Sequence, residues 1–176
     1  MSDLDQLRAS ANTTQETISQ AAEQVRAAYA TACDLHHQLA TLGLDGVAAT
    51  VEQAQATLET ATHSVASAVA ASDAVTVGLS EITEQTDRPH ALTRLTEVID
   101  QLNQAGHHLD TARTFLSDSY AYAVHADVGD LTALISTAHQ TVSDARQTVD
   151  DTATKTDTYR QRVEELTPES AVSADE

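Results

Sequence analysis

Apolar residues recur along most of this chain at alternating spacings of three and four. The first series holds twelve positions, eleven of them apolar: Leu4, Leu7, Ala11, Thr14, Ile18, Ala21, Val25, Ala28, Ala32, Leu35, Leu39 and Leu42. Such heptad spacing puts every position on one stripe of an α-helix, which is typical of a helix that packs lengthwise against others. The series predicts one long helix that ends at "LGLDG", where Gly43 suits the C-terminal cap and Asp45 the next N-cap.

Three further series follow, from Val47 to Thr86, from Leu95 to Ala123 and from Leu131 to Leu166. Pro89 fits the first turn of a new helix, and "HADVGD" supplies Gly129 as a break and Asp130 as a cap. Short connections make successive helices antiparallel neighbours. We therefore predict an all-α protein, an antiparallel up-down-up-down four-helix bundle of long helices.

The series repeat at an offset of 84 residues. Val25 corresponds to Leu109, Val51 to Ile135, and the two turns also coincide. We interpret this as two tandem helical hairpins related by duplication, 3–87 and 88–166, within one helical-bundle domain, 1–166. The residues 167–176 are expected to form a disordered acidic tail.

The charge balance bears on the class of partner. Asp and Glu number 27 against nine Lys and Arg, a formal charge of −18. Nucleic-acid binding needs clustered cations, and anionic membrane surfaces repel such a chain, so neither is expected as a partner. No apolar run is long enough for a membrane span, and the acidic N-terminus lacks a signal-peptide core. The expected compartment is the cytoplasm, with non-classical secretion as the alternative.

The stretch "CDLHHQLATLGLDG" contains the best candidates for a metal site. Cys33 and His37 are four residues apart on a helix, His36 lies beside them, and His125 should reach the same end of the bundle. A structural zinc site needs four ligands, and no CxxC or HExxH motif supplies the others. The alternative interpretation is that these are solvated residues at helix ends, and we predict no metal and no cofactor.

Motifs for catalysis are missing from the chain. No GxSxG turn, glycine-rich phosphate loop or ExxH pair occurs, and the carboxylate pairs fall on faces expected to be exposed. The pair His107-His108 lies off the apolar series, so a di-iron centre in the bundle interior is not expected. We predict that the protein is not an enzyme.

Aromatic residues make up only 3% of the chain, and Phe115, Tyr120 and Tyr122 form the one cluster. Phe115 and Tyr120 could complete a core whose neighbours are small. All three could instead contact a partner, because Tyr is enriched at protein interfaces.

The leading functional hypothesis is a non-enzymatic helical interaction or scaffold protein that acts through helix-face contacts with a protein partner or a second copy, as in a homodimer. Two further hypotheses remain open, namely a lipid carrier that opens its bundle, and an acidic mimic that occupies another protein's binding site.

An acidic helical hairpin with its turn near residue 43 also resembles, in outline, the WXG100 proteins of actinobacterial type VII secretion systems. That resemblance implies a secreted or secretion-associated protein. The sequence differs at the turn, where Leu44-Asp45-Gly46 stands in place of Trp-x-Gly, and none of its four tyrosines begins a YxxxD/E export signal.

Overall fold

Four long helices form an up-down bundle. The computed structural model describes residues 2–83 and 85–165, with helices α1 (Asp3–Thr41), α2 (Asp45–Ser80), α3 (Arg88–His125) and α4 (Gly129–Glu165). Each helix packs against the next one along the chain, and α4 closes the bundle by packing against α1. The predicted fold class is therefore confirmed. The predicted tail, 167–176, lies outside the described residues.

The bundle core consists of the predicted aliphatic stripes. Of 35 buried apolar residues in the described part of the chain, 16 are alanines, and the largest fully buried side chains include Ile18, Leu58 and Leu102. Two predicted core positions at the first turn are wrong. Leu42 is 73% exposed because it is the C-cap of α1, and Ala48 is buried in place of the half-buried Val47.

The second helix is shorter than its apolar series predicted. It ends at Ser80, whereas the series runs to Thr86; Ile82 is buried, but it lies in the connection and not in the helix. Residues 81–83 and 85–87 lie between α2 and α3, and the Asp87 side chain accepts a hydrogen bond from the His90 amide at 3.2 Å. This N-cap, with Pro89 in the first turn as predicted, fixes the start of α3.

A Schellman motif ends α1. Gly43 has a φ of 74°, and the amide of Leu44 donates to the carbonyl of Leu39 at 3.0 Å. Glycine adopts this left-handed conformation without steric cost, so the predicted C-terminal cap is confirmed. The predicted N-cap is wrong, because Leu44 holds that position without a side-chain bond and Asp45 lies in the first turn of α2.

The same motif recurs 84 residues later and ends α3. The amide of Val128 donates to the carbonyl of Ala123 at 3.2 Å, and Asp127 takes the left-handed conformation with a φ of 56°. The predicted break at Gly129 is wrong, since Gly129 begins α4; an Asp tolerates the left-handed region better than most residues. The structural repeat is thus clear in the backbone, while its origin by duplication stays a prediction.

Arginines close the opposite end of the bundle. Arg8 donates to the carbonyls of Leu79 and Ile82 at 3.3 and 2.6 Å, and Arg88 donates to those of Val163 and Glu164. The last carbonyls of a helix have no partner within it, so the bonds to Leu79, Val163 and Glu164 satisfy carbonyls at the C-terminal ends of α2 and α4. Ile82 lies just beyond α2. Each arginine belongs to the helix that precedes the one it caps.

Hydroxyl groups replace aliphatic ones where α1 meets α4. The hydroxyls of Thr14 and Thr152 are hydrogen-bonded at 2.9 Å, and both residues are 1–2% exposed. Thr14 also lies within bonding distance of the Ser10 and Thr148 carbonyls, and buried Thr156 bonds the Thr152 carbonyl. The contact between α1 and α4 therefore combines polar pairing with apolar burial.

None of the helices in the described ranges has a stretch long and apolar enough to cross a membrane.

We expect Gly78→Ala to destabilise the bundle. A Cβ at Gly78 would lie 2.9 Å from Cγ2 of buried Val98, a stiff side chain on α3. Overpacking lowers the free energy of unfolding by about 1–3 kcal/mol, and the higher helix propensity of alanine raises it by about 1 kcal/mol. The expected net decrease is about 1 kcal/mol. Urea unfolding would measure it. Gly46→Ala is the control, since no atom lies within 4 Å of its Cβ, and it should unfold no more easily than the wild type.

We also expect Thr14 and Thr152 to be coupled. Thr14→Val or Thr152→Val alone leaves a buried hydroxyl without this partner and should cost about 1 kcal/mol or more in unfolding free energy. The double variant removes both hydroxyls and should cost less than the sum of the single changes. Strict additivity in a denaturant-based double-mutant cycle would contradict the coupling.

Candidate functional site

Both Schellman turns lie at one end of the bundle. We call this region the loop end and define it as residues 29–57 and 114–141, which include the last turns of α1 and α3 and the first turns of α2 and α4. The antiparallel order of the helices places these segments together. The end of α2 and the start of α3 lie at the opposite end.

The loop end contains acids but no Lys or Arg. No Lys or Arg occurs between Arg26 and Arg88 or between Arg113 and Arg146. The acids of the loop end are Asp34, Asp45, Glu52, Asp118, Asp127 and Asp130. Every ion pair found in the described ranges involves an arginine outside the loop end. These six carboxylates are therefore not neutralised by a neighbouring cation.

Large apolar side chains are exposed at the same end. Leu42 and Leu44 are 73% and 48% exposed at the first turn, and Tyr120 and Val124 are 44% and 51% exposed on α3. Tyr120 and Val124 are four residues apart and lie on one side of the helix. Within the described residues only one other large apolar side chain is so exposed, Val77 near the far end of α2. Exposed apolar surface is thus concentrated at the loop end.

The metal candidates do not form a cluster. Cys33 and His36 are half-buried, whereas His37 and His125 are exposed. Across residues 2–83 and 85–165, no three His, Cys, Asp or Glu side chains are placed to hold one metal ion. The rings of His107 and His108 are 6.2 Å apart and tilted by 51°. We therefore take none of these residues as a site.

The aromatic candidates differ in their surroundings. Phe115 packs half-buried against the core, as expected for a residue that completes it. The core interpretation is wrong for Tyr120, whose side chain lies at the surface, while Tyr122 is half-buried. The sequence analysis assigned Leu42 to the apolar series, because heptad spacing gives no sign that a helix has ended, and it did not single out Leu44 or Val124 as exposed.

A shallow cavity beside Tyr120 lies between α3 and α4. It has a volume of about 260 Å³ and is lined by Ser117, Tyr120, Ser136 and His139. Hydroxyls and an imidazole line this cavity, and no described carboxylate joins them to orient the imidazole as a catalytic base. The cavity adds polar groups beside the exposed apolar surface.

Tyr29 and Cys33 lie one turn apart on α1, and Gln55 and Glu59 of α2 also act on the Tyr29 phenol. Hydrogen bonding to Cys33 raises the pKa of the Tyr29 phenol, and the charge of Glu59 raises it further, while the Gln55 amide opposes them. The Gln55 Oε1 atom is buried without a hydrogen-bond partner. The spacing of four residues was the only sequence signal for this contact, which the sequence analysis missed.

No protein-family model, curated protein or solved structure matches this chain.

We expect Cys33→Ala to lower the pKa of Tyr29. The native pKa is raised, so the phenol keeps its proton to higher pH than an isolated tyrosine. Removal of the sulfur removes the largest cause, and the phenolate should form at lower pH. Ultraviolet absorbance of the phenolate during a pH titration measures this, with Tyr29→Phe identifying the tyrosine concerned. Superimposable titration curves for the wild type and Cys33→Ala would contradict the assignment.

Proposed function

We propose that this protein is a non-enzymatic helical interaction protein whose docking surface is the loop end. The concentration of exposed apolar side chains there is the observation that carries the proposal: Leu42, Leu44, Tyr120 and Val124 lie at one end. Apolar residues exposed together mark interaction sites more often than scattered ones do, and a tyrosine is favoured at interfaces.

The proposal extends the helix-face interaction expected from the sequence. Tyr120 and Val124 offer a stripe on α3, and Leu42 and Leu44 are exposed at the first turn of the same end. Arg8 and Arg88 anchor the opposite end, and the ion pairs lie outside the loop end. A rigid scaffold with its apolar surface at one end suits a docking role. The proposed compartment is the cytoplasm, where the free Cys33 would stay reduced.

A photo-cross-linking residue at position 120 tests the proposal in the cell that makes the protein. Tyr120→p-benzoylphenylalanine should give a discrete cross-linked product with another protein, because the side chain would lie within the interface. Val77→p-benzoylphenylalanine is the matched control, since Val77 is 58% exposed but lies at the far end of α2. It should give no such product.

Equal products at both positions, or none at position 120, would overturn the proposed surface. A product formed only between two copies of this chain would replace a foreign partner with self-association.

A further inference from the structure

We propose that the partner segment bound by the loop end is a basic amphipathic one, with aliphatic side chains along one stripe and arginines or lysines beside it. This inference rests on the proposed function and adds the chemistry of the partner. It is carried by the distribution of charge around the exposed apolar residues, which the proposed function does not use.

The loop end contains acids without any Lys or Arg, whereas arginines are interspersed among the acids of the rest of the bundle. Outside it, Arg146 pairs with Asp110 at 3.0 Å and with Asp150, and Arg160 pairs with Asp157 at 2.8 Å. Partial burial disfavours the charged form of Arg146 and so lowers its pKa. The hydrogen bonds to Asp150 and Asp110 and the charges of these two acids outweigh that effect, and the pKa of Arg146 is raised. The carboxylates of these pairs already have cations beside them, whereas Glu16, Asp100 and Asp151, also outside the loop end, form no ion pair in the described ranges.

At the loop end no acid has such a partner among the residues that the structure describes. Asp34, Asp118 and Asp127 are exposed, and none of them forms an ion pair within the described ranges. They lie at the same end as Leu42 and Val124. Apolar side chains with unpaired acids at the same end complement a segment of the opposite charge and similar apolar pattern.

The negative charge of the protein also disfavours the alternative partners, namely a second copy, a nucleic acid and an anionic lipid surface. A second copy carries the same charge of −18, so its approach to the acidic loop end is electrostatically opposed. Nucleic acids and anionic lipid surfaces are opposed for the same reason. Arginine suits Tyr120 in particular, because a guanidinium stacks on an aromatic ring while its charge meets a carboxylate.

The test compares two synthetic amphipathic helices with the same leucine stripe, one with Lys and Arg at its polar positions and one with Glu. We expect the protein to bind the basic peptide, and the binding should weaken as salt is raised, because exposed charges are screened. It should not bind the acidic peptide. Fluorescence anisotropy of labelled peptides measures both.

Matched charge variants locate the binding. The triple variant D34N/D118N/D127N removes three loop-end acids and should weaken binding of the basic peptide about tenfold, from about 0.2–1 kcal/mol for each exposed pair. The control E16Q/D100N/D151N removes as many exposed acids that form no ion pair in the described ranges and lie outside the loop end. It should bind nearly as the wild type does.

Apolar variants complete the test. Tyr120→Ser with Val124→Ser should also weaken binding, whereas Val77→Ser should not. Circular dichroism confirms that each variant keeps its helices.

Equal weakening by both triple variants, equal binding of the two peptides, or no binding of the basic peptide at low salt would overturn the inference. Stronger binding to neutral phosphatidylcholine vesicles than to the basic peptide would assign the surface to lipid instead. A cross-linked protein at position 120 together with failure of the peptide test would leave the docking surface intact and reject only its proposed chemistry.

Discussion

Burial of four aliphatic stripes against one another is the interaction on which the rest of the structure depends. Nearly half of the buried apolar residues in the described chain are alanines, so the helices approach closely and each layer buries little area. Close approach explains why Gly78 is needed opposite Val98. Because each alanine-rich layer buries little area, the bundle has little stability to spare. The hydrogen bonds of the turns and of the arginine caps at its ends therefore matter more.

The heptad spacing was sufficient to predict the four helices, their antiparallel order and almost the whole core. Spacing carries that information because one stripe of a helix must face the interior. It could not locate the helix ends. Leu42 continues the spacing but lies beyond the last turn of α1, and Ile82 continues it after α2 has ended. Those positions depend on capping geometry, in which Asp127 took the place expected of a glycine.

The candidate site was less accessible from sequence than the fold. Cys33 and the histidines were candidate metal ligands because of their side-chain chemistry. In the described part of the chain they do not come together in a group that could hold a metal ion. The proposed site instead depends on exposure at Leu42, Leu44, Tyr120 and Val124, which only coordinates can give. The absence of Lys and Arg from 27–87 and 114–145 was present in the sequence all along. Its importance could not be seen from the sequence, because only the structure shows that parts of both segments lie at one end of the molecule.

Each half of the molecule contains its own means of closure. The Schellman turn at Gly43 and the Arg8 contacts with α2 lie within residues 2–83, and the turn at Asp127 and the Arg88 contacts with α4 lie within residues 85–165. The backbone connection between the two halves is therefore not part of the turn or of the arginine contacts that close either half. A chain built in this way is suited to cleavage into two fragments that reassemble without covalent connection, or to exchange of the order in which its halves are encoded.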